Sequence, residues 1–233
     1  RMVAIKVMSQ ESVADQQARQ RFLREATASA QIQSPHVVQI LDFGVDGSPF
    51  IVMELLVGED LRARLDRVGK LPVEQASRML RHLARGLRKA HELGFVHRDI
   101  KPANLFLVEL DDDEEQLKIL DFGVVKATRE ASATSVGRLL GSPRYMSPEQ
   151  ARGLPNLDQR SDLWSVGVVM FEMLTGARPF DAEMDADLLI QICMGNALKA
   201  SSIDPALATY DAFFAHCFTP DPSQRYQSVQ ELV

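Results

Sequence analysis

The eight residues from His97 to Asn104 bring together side chains that could act on a hydroxyl group and a phosphate. They read HRDIKPAN and include a carboxylate at Asp99, an ammonium at Lys101 and an amide at Asn104. The carboxylate could accept the proton of a hydroxyl group, and the ammonium could contact a phosphate as a point charge. Asn104 and Asp121 add hard oxygen atoms, the ligands that Mg²⁺ prefers beside phosphates. Phosphoryl transfer needs these residue types, because it depends on positioning and on neutralising charge.

Lys6 is a second candidate for phosphate binding. It lies in the run VAIK, residues 3–6, whose apolar and β-branched character is typical of a strand. It would need an anionic partner, which the helix predicted from about Asp15 to Gln33 can supply. Taken alone, a lysine on a strand is usually solvated, and a single aspartate is often a turn residue or a helix cap. Only the joint order and spacing of these residues favour a functional site.

The predicted elements form a strand-rich start and a helix-rich remainder. Strands are predicted at 2–8, 37–43 and 50–56, with a turn at 46–48. Helices are predicted at 61–65, 73–92, 158–175, 185–194, 206–218 and 224–233. Residues 163–174 are apolar nearly all round, so we expect this helix to be buried. The pattern predicts an α+β protein with a small lobe at 1–56, a linker at 57–60 and a larger helical lobe at 61–233.

Four ordered strings carry a family resemblance. HRDIKPAN at 97–104 matches H-R-D-x-x-x-x-N, DFG follows at 121–123, VAIK stands at 3–6, and SPE at 147–149 takes the place of A-P-E. With these motifs the chain resembles the eukaryotic-like (Hanks-type) serine/threonine protein kinases, and the motif sequences are most similar to those of the bacterial branch. The resemblance implies the bilobal protein kinase fold, with a truncated, strand-rich small lobe.

The resemblance implies an ATP- and Mg²⁺-dependent transfer of the γ-phosphoryl group to serine or threonine hydroxyls of proteins. It assigns Asp99, Lys101 and Asn104 to catalysis, and Asn104 and Asp121 to the metal. Lys6 would bind the α and β phosphates, held by Glu25. The implied adenine and ribose contacts are Ala4 and Phe106 around the ring, Met53 as gatekeeper, the backbone of Glu54 and Leu56, and Asp60 at the ribose.

The resemblance also implies a mode of regulation. Arg98 would bind a phosphate added to the loop between DFG and SPE, with Thr134 or its neighbour Ser135 as the favoured site. An ordinary polar loop is the alternative, and phosphorylation in trans would need transient self-association. The other serine and threonine residues of that segment are Thr128, Ser132 and Ser142.

Structural roles are implied for five further residues. His97 and Phe122 would pack in the interior, and Asp162 would brace the backbone of the catalytic loop. Glu149 would form a buried ion pair with Arg225.

One expected part is missing. The G-x-G-x-x-G loop that covers the phosphates would lie before Arg1, and no glycine occurs before Gly44. Both ends of the chain look cut, so we expect a fragment of a longer protein. The alternative hypothesis is therefore a pseudokinase or docking module that has the kinase fold but no turnover. A third hypothesis is a small-molecule phosphotransferase. The peptide-positioning strings at 141–149 speak against the third.

Composition excludes several other classes of protein. The 233 residues are 45% hydrophobic and 25% charged, as in ordinary globular proteins. A net charge of −6 argues against a nucleic-acid-binding face. Cys193 and Cys217 are too few for a disulfide framework and are expected to be buried thiols in a reducing compartment. No stretch is long and apolar enough to cross a membrane, so we expect a cytoplasmic domain without membrane contact, in a protein that could be anchored elsewhere.

Overall fold

The first part of the chain forms a three-stranded antiparallel sheet with two helices. The computed structural model describes residues 2–110, 114–122 and 143–233, with every side chain except those of residues 10, 11, 17, 21 and 25. The sheet contains β1 (Val3–Val7), β2 (Ile40–Asp46) and β3 (Ser48–Glu54), in the order β1-β3-β2. Helices α1 (Gln10–Val13) and α2 (Gln16–Gln31) connect β1 to β2. Gly47 has a φ of 68° in the predicted turn between β2 and β3, a conformation that glycine adopts without steric cost.

A second small sheet lies at the start of the helical part. It contains β4 (Gly58–Asp60), β5 (Leu105–Glu109) and β6 (Glu115–Ile119), all antiparallel. Backbone bonds join it to the segment that precedes β2, because Ile119 N donates to His36 O and Val38 N donates to Ile119 O, at 2.9 and 3.0 Å. This junction ties the two sheets together.

The helical part is built around α4 (Val73–Glu92) and α6 (Gln159–Thr175). Every residue of α6 from Ser161 to Thr175 is buried, as its apolar pattern predicts. Trp164 stacks on Phe180 with ring centroids 5.2 Å apart, and such aromatic burial contributes about 1.5–3 kcal/mol per side chain. The remaining helices are α3 (Leu61–Val68), α5 (Pro148–Ala151), α7 (Asp185–Met194), α8 (Ala200–Ile203) and α9 (Asp211–Cys217).

The α+β prediction is confirmed, but two predicted helices are wrong in type or extent. Residues 224–233 do not form an α-helix; this part of the chain contains two short 3-10 helices, Pro222–Gln224 and Val229–Leu232. The reason lies in Arg225, which is extended because its guanidinium donates to the carbonyls of Thr219 and Pro220. Residues 205–210, at the start of the predicted helix 206–218, likewise form a 3-10 turn before α9.

The region between the two sheets differs in detail from the predicted pattern. Within the predicted linker at 57–60, Gly58–Asp60 is strand β4 and pairs with β5; the division into lobes stays a prediction. Strand β2 begins three residues later than predicted, because residues 36–38 bond to β6 instead of continuing the first sheet.

Two further expectations concern the cysteines and the membrane. Cys217 is buried as expected, whereas Cys193 is only half-buried. Among the described residues, no helix has the length and apolar character needed to cross a membrane.

Candidate active site

The backbone of residues 97 and 98 is held from below by one buried carboxylate. Asp162, near the start of α6, accepts hydrogen bonds from the backbone N–H groups of His97 and Arg98, at 2.9 and 2.8 Å. Its Oδ2 also lies 2.8 Å from Nε2 of His91, at the end of α4. Arg98 has a φ of 65°, a strained conformation for a residue with a Cβ, and such strain persists only where the surroundings hold it. The predicted bracing role of Asp162 is therefore confirmed.

His97 links this brace to the residues beside it. Its Nε2 donates to Leu120 O at 2.9 Å, and its Nδ1 accepts from Asp99 N at 3.2 Å, which requires the neutral imidazole. Burial lowers the pKa of His97, so this neutral form persists at physiological pH. The ring packs against the buried Phe122 with centroids 4.7 Å apart. His97 is thus the packed structural histidine that we predicted.

Asp99 receives an ammonium and an amide donor on one carboxylate oxygen. Lys101 Nζ lies 2.9 Å from Oδ2 of Asp99, and Asn104 Nδ2 donates to the same oxygen at 3.1 Å. Asn104 Nδ2 also donates to the backbone oxygen of Asp99 at 2.8 Å. The 3-10 turn Pro102–Asn104 creates this closure by bringing Asn104 back toward Asp99. The three predicted catalytic residues therefore form one half-buried cluster.

Lys6 and Asp121 meet across the two sheets. Lys6 is on β1, Asp121 follows β6, and Lys6 Nζ lies 2.8 Å from Oδ1 of Asp121. Asp121 has a φ of 38°, the second non-glycine residue with positive φ among those described. The two side chains are 38% and 45% exposed, so a ligand could reach both. The side chain of Glu25, the expected partner of Lys6, lies outside the described residues, although its backbone is part of α2.

The oxygen donors here suit Mg²⁺. Asn104 and Asp121 offer an amide and a carboxylate oxygen, and the described residues contain no cluster of three His, Cys, Asp or Glu side chains for a metal held by protein alone. Mg²⁺ characteristically takes only one or two protein ligands and completes its shell with phosphates and water. The donor set is consistent with that mode of binding.

The predicted nucleotide residues lie on the strands that border this cluster. Ala4 and Met53 are register partners in the first sheet, and Asp60 and Phe106 are partners in the second. Asp60 also caps α3, since its Oδ1 accepts from Ala63 N at 3.0 Å. Leu56 is half-buried and lies in the segment that connects the two sheets.

Glu54 is held by a contact that sequence reasoning missed. Lys118 Nζ lies 2.6 Å from Oε1 of Glu54, and Gln39 N donates to the same oxygen at 2.8 Å. The lysine and glutamate side chains are largely buried, and they connect β3 with β6 beside the linker. No local pattern links positions so far apart in the chain, so the sequence carried no signal for this pair.

A second set of buried contacts supports the loop from the other side. Arg225 donates through both terminal nitrogens to Glu149, at 2.9 and 2.8 Å, and Ser161 Oγ donates to the same carboxylate at 2.7 Å. The predicted ion pair is confirmed. Burial opposes ionisation of Glu149, but the bonds to Arg225 and Ser161 outweigh it and lower its pKa. Gln150 Nε2, which we did not predict, donates to Arg98 O at 2.8 Å.

Several predicted residues lie outside the described part of the chain. They are Gly123 of the DFG string and the loop hydroxyl residues Thr128, Ser132, Thr134, Ser135 and Ser142.

Comparison with known proteins places the chain in a family. The sequence model of a protein family, the protein kinase domain, matches residues 1–233. The serine/threonine-protein kinase PknL of Mycobacterium tuberculosis is 40% identical over 228 residues, covering 97% of this chain and 56% of PknL. A probable serine/threonine-protein kinase of Clostridium acetobutylicum is 34% identical over 235 residues, covering 100% of this chain and 35% of that protein. The chain thus spans about a third to just over half of the length of these relatives.

A solved structure agrees with the fold. The crystal structure of the Mycobacterium tuberculosis PknI kinase domain matches with a TM-score of 0.75 and 27% identity, covering 99% of this chain and 82% of that one. The four motifs, the cluster around Asp99 and the family match over the whole length all agree. The chain belongs to the protein kinase family, and its relatives include bacterial serine/threonine kinases.

Proposed function

We propose that this chain is the catalytic domain of an ATP- and Mg²⁺-dependent protein serine/threonine kinase. Membership of the family implies ATP as donor and proteins as acceptors. Asp99 would orient the acceptor hydroxyl and take its proton, and Lys101 would neutralise charge on the transferred phosphoryl group. Lys6 would hold nucleotide phosphates, and Asn104 and Asp121 would hold Mg²⁺. When bound, Mg²⁺ supplies neutralisation of the phosphate charges.

One observation carries this proposal. Asp99, Lys101 and Asn104 form a closed hydrogen-bonded cluster on a strained backbone that a buried carboxylate braces. The positive φ of Arg98 costs about 1–3 kcal/mol. An unconstrained loop in solvent would relax to a conformation without this strain. Strain of this size is typical of sites that must hold groups in a fixed geometry.

We propose that the adenine site consists of the residues that the family resemblance implies. Ala4 and Phe106 would enclose the ring, and the backbone of Glu54 and Leu56 would bond its edge beside Met53. Asp60 would approach the ribose with the carboxylate oxygen that does not cap α3. The Lys118–Glu54 contact supports this assignment, because it fixes the strand end that would present the backbone groups. Glu25 is proposed as the partner of Lys6 when phosphates are bound.

A phosphoryl-transfer assay tests the function. Radiolabelled ATP with Mg²⁺ and a basic protein acceptor is incubated with this chain, with an N-terminally extended form, and with Asp99→Asn in each. Loss of the general base lowers transfer by about 10²–10⁴-fold. The matched control is Asp187→Asn, an exposed carboxylate on α7, which should leave transfer unchanged.

Phosphoamino acid analysis of the labelled product then assigns the acceptor type. Label on serine and threonine supports the proposal. Bound ATP without transfer from either wild-type form would favour the pseudokinase hypothesis.

We also propose that Arg98 responds to phosphorylation of the loop at Thr134 or Ser135. Among the described residues, Nε of Arg98 is buried without a hydrogen-bond partner, which suits an anion that arrives later. A phosphate adds about −1.5 to −2 charge and forms strong bonds to arginine. Phosphorylation between copies would require transient self-association. Phosphosite mapping by mass spectrometry after incubation with ATP tests this, and phosphate found only outside 122–146 would contradict it.

A further inference from the structure

The outer face of α4 is an unusual concentration of positive charge. Five cations lie on this one helix, against two carboxylates, in a protein whose net charge is −6. All five are exposed, and they lie opposite the buried face of the helix. The five are Arg78, Arg81, Arg85, Arg88 and Lys89, which we call the α4 basic strip.

The α4 basic strip is not explained by pairing within the helix. Arg88 and Lys89 share a single carboxylate, Glu92, at 3.7 and 3.3 Å. Arg81 donates to Ser77 Oγ at 2.9 Å. Among the described residues, Arg78 and Arg85 form no ion pair.

Arg85 occupies the least favourable position of the five. Its neighbours at three and four residues in either direction are Arg81, His82, Arg88 and Lys89. Like charges at these spacings destabilise a helix. A solvated helix face usually alternates charge sign instead, so this arrangement goes against local stability, as residues at binding sites often do.

A neighbouring side chain reports the same positive field. The pKa of His82 is lowered to about 4, first by burial and then by the charges of His36, Arg85, Arg78 and Arg81. Arg78, Arg81 and Arg85 therefore lie close enough to the ring of His82 to disfavour its protonation.

We propose that the α4 basic strip binds an acidic segment of a partner protein in extended conformation. Arg78 and Lys89 are eleven residues apart, so the strip is about 16 Å long. An extended segment of about five residues has the same length. The strip is electrostatically suited to Asp- or Glu-rich sequences, which bind through complementary charge.

The limits of the strip favour a segment over a membrane surface. Glu74 and Glu92 lie on the same helix face as the cations, one at each end. An anionic membrane is a plane wider than the strip and would be repelled by these groups, whereas a short segment would not reach beyond them.

Fluorescence anisotropy of labelled peptides tests the proposal with the whole chain. The peptides are hexaglutamate and, as a neutral control, hexaglutamine. The test variant is R78Q/R81Q/R85Q, and the matched control is R24Q/R152Q/K199Q, which removes three exposed cations that form no ion pair among the described residues. We expect the wild type to bind hexaglutamate, with an affinity that falls as the salt concentration rises. The affinity should fall by roughly tenfold or more in R78Q/R81Q/R85Q and stay unchanged in the control variant.

Two further measurements separate binding from folding. Glutamine is a good helix former and removes like-charge repulsion, so the thermal midpoint of R78Q/R81Q/R85Q should equal or exceed that of the wild type. R78K/R81K/R85K keeps the charge and should keep binding within about threefold. The proposal is overturned if the wild type does not bind hexaglutamate, if both glutamine variants weaken equally, or if phosphatidylglycerol vesicles bind in place of the peptide.

Discussion

At the scale of single residues, Asp162 determines the backbone conformation of the catalytic loop, although it does not belong to the cluster around Asp99. It is fully buried and accepts bonds from two consecutive backbone N–H groups and from His91. These bonds hold Arg98 in a strained conformation, which in turn fixes the direction of Asp99. A carboxylate is the one side chain that can accept from all three donors, because an amide has a single acceptor oxygen.

We therefore expect Asp162→Asn to lower kcat by at least about tenfold and the free energy of unfolding by about 2–4 kcal/mol. The KM for ATP should change less, since the substituted group does not touch nucleotide. Steady-state kinetics and urea unfolding measure both effects. Asp158→Asn on the N-cap of the same helix is the control, because asparagine caps a helix as well as aspartate does. The ion pair with Arg160 that this variant loses is partly exposed and contributes only about 0–1 kcal/mol. Equal behaviour of the two variants would contradict the bracing role.

The Glu149–Arg225 pair acts at the same scale but on stability. Both side chains are buried, and Arg225 also lies over the ring of Trp164, with its Cζ atom 4.9 Å from the centroid. Removing one partner leaves the other charge buried without compensation, which typically costs about 3–5 kcal/mol.

A double-mutant cycle tests this coupling. Glu149→Ala and Arg225→Ala should each destabilise strongly, and the double variant should lose less than the sum of the two by about 1.5 kcal/mol or more. The free energies come from urea unfolding of all four proteins. Additivity within about 0.5 kcal/mol would show that the pair is not coupled.

At the scale of elements, the junction between the two sheets depends on two stacked histidines. The rings of His36 and His82 lie 4.5 Å apart and nearly parallel. His36 Nδ1 donates to Leu117 O at 3.1 Å, and His82 Nδ1 accepts from Leu117 N at 3.3 Å. Gly86 lets α4 approach this junction, since a Cβ there would lie 2.9 Å from His36 O. Protonation of His82 would remove its acceptor lone pair and add a positive charge beside the α4 basic strip.

This arrangement makes stability sensitive to acid. The pKa of His82 is lowered from 6.5 to about 4 in the folded chain, so the unfolded chain binds more protons between these values. Stability therefore falls as the pH falls through this window. We expect a loss of roughly 1.5–2 kcal/mol between pH 7 and pH 5 from this group. In urea unfolding, His82→Gln should reduce the pH dependence by that amount, while the exposed His216→Gln should not. An unchanged pH dependence of the unfolding free energy in His82→Gln would contradict the role of His82.

The same elements mark how far the sequence could predict the structure. The string HRDIKPAN places several chemical groups within eight residues, so the cluster at Asp99 was predictable from local spacing. The contacts of His36 with Leu117 and of Lys118 with Glu54 join residues more than 60 positions apart, and no local period reports them. The error at 224–233 has the same origin in part, because Arg225 bonds to a buried glutamate 76 positions away. This ion pair and the bonds of Arg225 to the nearby carbonyls of Thr219 and Pro220 override a helical pattern.

At the scale of the whole molecule, the ion pair of Lys6 with Asp121 joins the first sheet to the second. If Asp121 binds Mg²⁺ and Lys6 binds phosphates, a nucleotide with its Mg²⁺ would replace this direct contact. The bound nucleotide would then connect the first sheet to the second. A ligand that binds only the folded state adds about 2.7 kcal/mol of stability at a concentration of one hundred times its Kd. For a domain of this size, that corresponds to a thermal shift of roughly 5–10 °C.

The expected result is a shift of this size with a non-hydrolysable ATP analogue and Mg²⁺, and a smaller shift with the analogue alone. Asp121→Asn should abolish the Mg²⁺-dependent part, because a neutral amide is a poorer Mg²⁺ ligand than a carboxylate. Asp46→Asn, at the exposed turn between β2 and β3, is the control, since asparagine suits that turn equally well. Differential scanning fluorimetry measures the thermal midpoints of the wild type and the two variants, with and without Mg²⁺. If Asp121→Asn keeps the full Mg²⁺-dependent shift, Asp121 does not bind the metal, and the bridge between the two sheets must be sought at another carboxylate.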